Sequence, residues 1–151
     1  MSSVKQLIVK VPKLHKAQEE VKKDCKRFNV LCNGRRWGKT YFAIELVLET
    51  ILNGNPVGIF VPTFDFAEDI WEELKERTES ILKYRNEAKY TMLYITGGSV
   101  KVWSLEKKRA GRGRKYKRVI IDEEAFAKDL EESWNRAIRS KIFYYLYDIT
   151  L

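Results

Sequence analysis

Positions 33–40 combine glycines, basic residues and a hydroxyl in the order Asn33-Gly34-Arg35-Arg36-Trp37-Gly38-Lys39-Thr40. Glycine lets backbone N–H groups wrap closely around phosphate oxygens, and the start of a helix directs further N–H groups at the same anion. A lysine at the end of such a loop reaches the β- and γ-phosphates, and the hydroxyl that follows it holds Mg²⁺. The segment therefore predicts a P-loop that binds ATP, with Thr40 as a ligand of the metal ion.

The loop departs from the usual GxxxxGK[ST] pattern, because the position of the first glycine is occupied by Asn33. Asparagine tolerates a left-handed backbone better than most residues, and Gly34 follows directly. The alternative is that Gly38-Lys39-Thr40 only begins a helix. The apolar run Phe28–Cys32 before the loop and the apolar segment Thr40–Leu52 after it favour the P-loop.

A second segment able to do chemistry is Val119-Ile120-Ile121-Asp122-Glu123-Glu124, an apolar strand that ends in acids. Asp122 can hold Mg²⁺, and Glu123 can polarise the attacking water as the catalytic residue. Alone the pattern is weak, because many strands end in charged residues. It follows the P-loop by roughly 80 residues in an alternating chain, and this order predicts the second half of an ATPase site.

Charge is distributed unevenly along the chain. Its formal net charge is +8, and basic residues gather near the N-terminus and again between Lys101 and Arg118. An acidic partner, nucleic acid first, and a merely solubilising surface both explain such an excess. The basic loop Lys107–Arg118 is the candidate surface for double-stranded DNA, bound without sequence preference.

Other classes of protein are excluded by composition. Two cysteines without CxxC spacing and one histidine give neither a disulfide framework nor a zinc site, and they fit a reducing cytoplasm. No apolar run approaches the ~20 residues of a membrane-spanning helix, so no membrane partner is expected. No apolar block follows the N-terminus as a signal peptide requires.

The elements that must position these residues alternate between strand and helix. Apolar spacing predicts helices over Leu14–Lys26, Thr40–Leu52, Asp65–Tyr84 and Asp129–Arg139, strands over Phe28–Cys32, Val57–Val61 and Arg118–Ile121, and a hairpin over Tyr90–Thr96 and Ser99–Leu105. This alternation predicts the α/β class, a mainly parallel sheet covered by helices. Ligands bind at the carboxyl edge of such sheets, where both charged motifs fall.

Four motifs in order resemble those of the large terminase subunits of tailed phages. Gly34–Thr40 is similar to that family's arginine-rich P-loop, and Leu14–Val21 is similar to its adenine motif. Val61-Pro62-Thr63 resembles its Pro-Thr segment. Gly111–Tyr116, followed by Asp122-Glu123-Glu124-Ala125-Phe126, resembles its arginine loop and second acidic motif. The resemblance covers roughly positions 13–139.

The resemblance implies a P-loop NTPase of the additional-strand, catalytic-glutamate type, with helices on both faces of the sheet. Gln18 would read adenine, since a side-chain amide pairs with the N6 and N7 edge of that base. Arg35 and Arg36, beside Trp37, would sense the γ-phosphate, with ordinary loop charge as the alternative. Arg112 or Arg114 would act as an arginine finger toward a neighbouring subunit, with contact to DNA phosphate or solvent as the alternative.

The family further implies a motor that packages viral DNA, using ATP and Mg²⁺ to move duplex DNA. Its partners would be further copies in a ring, the portal and the small terminase subunit, in the host-cell cytoplasm at the procapsid portal. A helicase-like ATPase fragment and a truncated, non-catalytic remnant that binds ATP or DNA remain as alternatives.

The end of the chain departs from the family. Residues 1–151 are expected to form one incomplete ATPase domain, with the motifs inside 13–139 and a divergent tail at 140–151. The family's nuclease domain is absent, so no nuclease activity is expected. The chain is interpreted as a fragment or as the product of a truncated gene.

The tail itself is rich in β-forming residues from Ile142 to Ile149. In the additional-strand type, one strand lies between the P-loop strand and the strand that ends in Asp122. An empty slot there would leave backbone groups unpaired in an apolar core, at about 1–3 kcal/mol each. We therefore expect the tail to fill this central slot, with Thr150 near the family's hydroxyl coupling residue. The alternative is an exposed foreign tail on an inactive remnant.

Overall fold

Helices and strands alternate through the computed structural model, which describes residues 6–31, 33–34, 36–107, 109–122 and 142–148. In this part of the chain the helices are α1 (Lys16–Asp24), α2 (Lys39–Leu52) and α3 (Glu68–Thr78), and short 3-10 turns at Phe64–Ala67 and Glu79–Ile81 flank α3. The strands are β1 (Phe28–Leu31), β2 (Pro56–Val61), β3 (Leu82–Asn86), β4 (Thr91–Tyr94), β5 (Ser99–Ser104), β6 (Tyr116–Ile121) and β7 (Ile142–Asp148).

The strands form one sheet in the order β1-β7-β6-β2-β5-β4-β3. The five strands β1, β7, β6, β2 and β5 pair with their neighbours in parallel. At the other edge, β4 is antiparallel to β5 and β3 is antiparallel to β4. The expected mainly parallel α/β sheet is therefore confirmed, with an antiparallel extension at one edge.

The core lies on the face of the sheet that α2 and α3 cover. Ile44, Val47 and Leu48 of α2 pack with Val57 and Ile59 of β2, and all five are fully buried. Helix α2 is buried over most of its circumference, which explains its apolar sequence. The predicted helix Asp129–Arg139 lies outside the described residues, so helices on the second face stay a prediction.

The tail occupies the centre of the sheet. Strand β7 pairs in parallel with β1, where Phe28 is opposite Tyr145, and with β6, where Arg118 is opposite Tyr144. The expectation that residues of the tail fill the slot between the P-loop strand and β6 is confirmed for Ile142–Asp148. Thr150 lies outside the described residues.

The predicted helix over Asp65–Tyr84 is wrong at both ends. Only Glu68–Thr78 is α-helical, and Leu82–Asn86 forms β3 because its backbone pairs with β4. The predicted hairpin is confirmed as β4 and β5. Gly98 lies in its turn, where an added Cβ would be 2.4 Å from the backbone oxygen of Ile51. The hairpin therefore fits closely against the end of α2.

Candidate nucleotide-binding site

The loop between β1 and α2 ends at Gly38, the N-cap of the helix. Gly38 has φ +84°, in the left-handed region that favours glycine. Its carbonyl accepts the N–H of Phe42 at 3.0 Å, and the carbonyl of Gly34 accepts the N–H of Trp37 at 3.1 Å. The first turn of α2 contains no acid. The positive end of the helix therefore faces the loop with no carboxylate from this turn to oppose an anion.

Lys39 and Thr40 follow this turn as the P-loop prediction requires. The Lys39 ammonium donates to the backbone oxygen of Asn33 at 3.3 Å, which brings its charge across the loop. The Thr40 side chain is exposed. A Cβ at Gly34 would meet no atom within 4 Å, so open space adjoins the loop. A basic charge, a hydroxyl and open space beside a helix N-terminus fit a bound triphosphate.

Asn33 does not use the left-handed backbone considered for it. Among the described residues other than glycine, only Tyr90 has a positive φ. Asn33 contributes its carbonyl to Lys39 instead.

Helix α1 places a histidine and a glutamine against the loop. His15 is the N-cap of α1 and forms a capping box with Gln18. The Gln18 amide nitrogen lies 3.1 Å from the carbonyl oxygens of both Trp37 and Gly38. His15 Nε2 lies 2.9 Å from the Trp37 oxygen. Sequence reasoning assigned no role at the loop to His15, although its position three residues before Gln18 is the capping-box spacing.

Trp37 fixes the loop to the helices through its ring. It makes edge-on contacts with His15, at 5.5 Å between ring centroids, and with Phe42, at 5.4 Å. It packs on a small cluster that includes Leu31 and Leu46. Trp37 therefore packs the loop against both helices.

Asp122 lies at the same edge of the sheet as the P-loop. It follows β6 directly, and its N–H donates to the Phe60 oxygen at 3.0 Å. Because β7 alone separates β6 from β1, the two motifs are offset by two strand spacings, about 10 Å. A bound nucleotide with its metal ion can span this distance. Glu123, the predicted catalytic residue, lies outside the described residues.

Oxygen donors at this edge suit Mg²⁺. The Thr40 hydroxyl and the Asp122 carboxylate are hard ligands, and Mg²⁺ typically takes one or two protein oxygens together with phosphate oxygens and water. Among the described residues, no three His, Cys, Asp or Glu side chains come together as a metal cage.

The arginines of the two loops lie in different settings. Arg36 is exposed in the P-loop, and Arg35 lies outside the described residues. Arg112 and Arg114 are exposed on consecutive turns that include Gly111 and Gly113, both with positive φ. Buried Ala110 anchors this loop. The turns therefore leave both arginine side chains exposed.

Arg118 departs from the basic surface that the sequence suggested. It donates to the Leu46 backbone oxygen of α2 at 2.6 Å and to the Glu49 carboxylate at 3.2 Å. These contacts turn Arg118 toward the helix, so the basic surface ends before it.

An open groove of about 730 Å³ also borders Thr40, on the side of α3. Its lining is mainly acidic: Asp69, Glu72, Glu73, Glu76 and Glu79, with Thr40, Tyr41, Lys75 and Arg85. Five carboxylates disfavour a triphosphate. The phosphate site is therefore assigned to the loop and not to this groove.

In the part of the chain that the structure describes, no helix has the length and apolar character needed to cross a membrane.

No protein-family model and no curated protein matches the sequence. Solved structures do. A variant of the large terminase ATPase domain of Thermus phage P74-26 has a TM-score of 0.76 and 20% identity, over 92% of this chain and 66% of that one. The large terminase of bacteriophage HK97 has a TM-score of 0.72 and 13% identity, over 92% of this chain and 33% of that one.

The large terminase of a thermophilic bacteriophage, solved in complex with ADP, has a TM-score of 0.65 and 14% identity, over 90% of this chain and 38% of that one. The chain thus spans just under two thirds of the P74-26 domain and little more than a third of the ADP-bound terminase. At these identities the likeness concerns the fold. The fold of this chain is that of the ATPase domain of phage large terminases.

Proposed function

We propose that the chain is the ATP-binding and ATP-hydrolysing part of a viral DNA-packaging motor of the large-terminase kind, which moves duplex DNA. One observation carries the proposal. The P-loop and Asp122 share the carboxyl edge of a sheet whose fold is that of terminase ATPase domains. The terminase from the thermophilic bacteriophage was solved with ADP, which supports nucleotide binding by this chain.

Each of the proposed site residues has a separate role in ATP hydrolysis. The loop from Gly34 to Lys39 binds the phosphates through its backbone N–H groups and the Lys39 ammonium. Thr40 and Asp122 would hold Mg²⁺, which would neutralise phosphate charge when bound. Glu123 orients the attacking water and takes up its proton.

The position of β7 supports an ATPase of the additional-strand, catalytic-glutamate type. One parallel strand lies between the P-loop strand β1 and the strand β6 that leads into Asp122. A remnant with a foreign tail would not be expected to pair that tail at the centre of its sheet. The helicase-like ATPase uses the same nucleotide chemistry and stays the second candidate. The terminase folds of the neighbours support the proposal of a packaging motor.

Arg112 and Arg114 are proposed to reach the ATP site of a neighbouring copy in a ring. Their exposure on glycine turns supports action toward a partner, and a guanidinium stabilises phosphate charge well. The portal and the small terminase subunit are the further partners of this assembly. It works at the procapsid portal in the host-cell cytoplasm.

Duplex DNA is proposed to bind the basic loop that begins at Lys107. Burial lowers the pKa of the Lys101 ammonium, and the neighbouring charges of Lys107, Arg114 and Lys89 lower it further. Several cations therefore share one region beside the loop, and the resulting positive field attracts phosphate.

The experiment that tests the nucleotide site compares wild type with Lys39→Ala. The variant loses a charged partner of the phosphates, and a hydrogen bond to a charged group contributes about 1.5–3 kcal/mol. Affinity for Mg·ATP, measured by calorimetry, is expected to fall at least about tenfold. Lys23→Ala, which removes an exposed lysine of α1, is the matched control. Equal affinity in wild type and Lys39→Ala would show that the P-loop assignment is wrong.

A further inference from the structure

Lys101 of β5 lies against the sheet, and its side chain is only partly exposed. Its ammonium is placed over the ring of Trp103, 4.9 Å from the ring centroid, and donates to the backbone oxygen of Lys89. Lys101 and Trp103 are two residues apart on one strand, so their side chains share a face of the sheet. These contacts hold the charge of Lys101 at a defined position.

The ring beneath Lys101 is itself held by a second aromatic residue. The indole N–H of Trp103 donates to the hydroxyl of buried Tyr116, on β6, at 2.7 Å. The Tyr116 ring lies over Gly58 of β2, where an added Cβ would be 2.8 Å from the ring carbons. Three neighbouring strands therefore support Lys101, and a contact built on strands is more precise than one built on a loop.

Three more cations share this region with Lys101. Lys89 precedes β4, Lys107 follows β5 and Arg114 precedes β6, and all three are exposed. Burial is the largest cause of the lowered pKa of Lys101, and the charges of Lys107, Arg114 and Lys89 add to it. Positive charge therefore converges from three segments of the chain.

No carboxylate offsets this charge. In the part of the chain that the structure describes, none of the four cations forms an ion pair, whereas Lys75, Arg77 and Arg85 on α3 and β3 all pair with glutamates. Like charges that converge without a counter-ion repel one another, and an anion from outside the chain relieves that repulsion. The cluster therefore favours an anionic ligand.

Duplex DNA suits the distribution of these cations. They come from a turn, a strand and two loop positions, so a ligand that engages all of them needs several closely spaced charges. Duplex DNA carries about one negative charge per 1.7 Å of helix axis. The basic loop that is proposed to bind duplex DNA begins at Lys107, a member of the cluster. One DNA backbone can therefore follow both the loop and β5.

We propose that Lys101 contacts a backbone phosphate of duplex DNA, so that the DNA-binding surface extends from the basic loop onto β5. The inference rests on the proposed function and adds the residue that fixes where the backbone lies. An ammonium has three donors, and the Lys89 oxygen uses one of them, so Lys101 keeps donors for a phosphate while its side chain stays ordered.

The test measures duplex binding by fluorescence anisotropy, from low to high salt, on the full chain. Lys101→Met keeps an apolar side chain on Trp103 and removes the ammonium. Its affinity is expected to fall about tenfold, since a hydrogen bond to a charged group is lost. The slope of log affinity against log salt should decrease by about 0.9, the value for one phosphate. Lys101→Arg keeps a donor with its charge and should restore most of the affinity.

The matched control is Lys83→Met, which removes an exposed lysine of β3 from the same antiparallel extension. It is expected to leave the slope unchanged. Equal changes in Lys101→Met and Lys83→Met would show that only net charge matters, and this would overturn the proposal. An unchanged affinity in Lys101→Met would do the same and would assign the cluster to another anion, such as an acidic protein.

Trp103 gives a readout on the unmodified site, which covers the case in which Lys101→Met does not fold. A phosphate bound to Lys101 changes the field at the indole beneath it, so duplex DNA is expected to change the tryptophan emission of the wild-type chain. Trp103→Phe should remove that change. Emission that stays constant in wild type, or a change that persists in Trp103→Phe, would contradict the contact.

Failure of the proposed function has a different signature. A wild-type chain that binds no duplex DNA at low salt would overturn the proposed DNA binding together with this site. A chain that binds duplex DNA with the same salt slope in wild type and Lys101→Met would overturn the Lys101 contact alone.

Discussion

Gly38 is the residue that the candidate site can least replace. Its φ of +84° lies where side chains are strained, and the missing Cβ also leaves room for the Gln18 amide. The one glycine therefore allows both the turn into α2 and the contact with α1. The missing Cβ of Gly38 thus serves both the local turn and the long-range contact with Gln18.

Glu123 is expected to contribute more to ATP hydrolysis than to ATP binding. A residue that orients the attacking water contributes mainly in the transition state. Glu123→Gln is therefore expected to keep Mg·ATP affinity within a few fold and to lower hydrolysis by about a hundredfold or more, the range of general-base effects. Phosphate release and ATP binding are measured on the same preparation. Normal hydrolysis would move the role to Glu124 or to another residue.

At the scale of elements, an ion-pair chain connects α1, α2 and β6. Lys22 of α1 lies 2.7 Å from Glu45 and 3.5 Å from Glu49, both on α2. Glu49 also pairs with Arg118 of β6 at 3.2 Å. Burial opposes the charge of Lys22, but the hydrogen bond with Glu45 and the attraction of both carboxylates outweigh it and raise its pKa. These ion pairs hold α1 against α2, and Lys22 lies one helical turn from Gln18.

Replacing Lys22 alone is expected to lower the free energy of unfolding more than replacing both Lys22 and Glu45. Lys22→Met leaves the largely buried Glu45 carboxylate without its cation, which costs about 1–3 kcal/mol of unfolding free energy. Adding Glu45→Leu is expected to restore much of the loss. Urea unfolding of both variants measures this difference. A double variant no more stable than Lys22→Met would mean that the pair does not hold α1.

The elements differ in how far the sequence could predict them. Gly38 and Asp122 could be predicted, because glycine turns and acidic strand ends have short-range patterns. Strand β3 could not, since Ile81 and Leu82 continue the apolar spacing of α3 and only pairing with β4 makes this segment extended. The contacts of Gln18 likewise depend on how α1 packs against a loop 19 residues away.

At the scale of the molecule, β7 joins two parts of the sheet. It pairs with β1 over four residues and with β6 over five. A chain that stops after Lys141 would leave the facing backbone groups of both strands unpaired, at about 1–3 kcal/mol for each buried group. We expect this truncation to abolish cooperative unfolding as followed by circular dichroism. A chain that stops after Asp148 keeps β7 and is the control, and equal stability of the two would refute a structural role for the tail.

The whole molecule is expected to bind duplex DNA through the basic loop that begins at Lys107. The loop from Lys107 offers exposed cations but no base-reading helix, so binding to duplex DNA should be independent of sequence and should weaken steeply with salt. Replacing Lys107, Arg112 and Arg114 by alanine should reduce the slope of log affinity against log salt by roughly 0.9 for each phosphate that is no longer neutralised.

The matched control removes the same charge elsewhere, at the exposed lysines Lys16, Lys23 and Lys83. If net charge alone attracted DNA, both triple variants would lose affinity equally, and their salt dependence would change in the same way. If the loop contacts phosphate directly, only the loop variant changes the slope, since counterions are released where phosphates are neutralised. Fluorescence anisotropy with two unrelated duplexes, titrated from low to high salt, distinguishes these outcomes. Wild-type binding that is weak at low salt or insensitive to salt would show that this surface alone does not engage DNA.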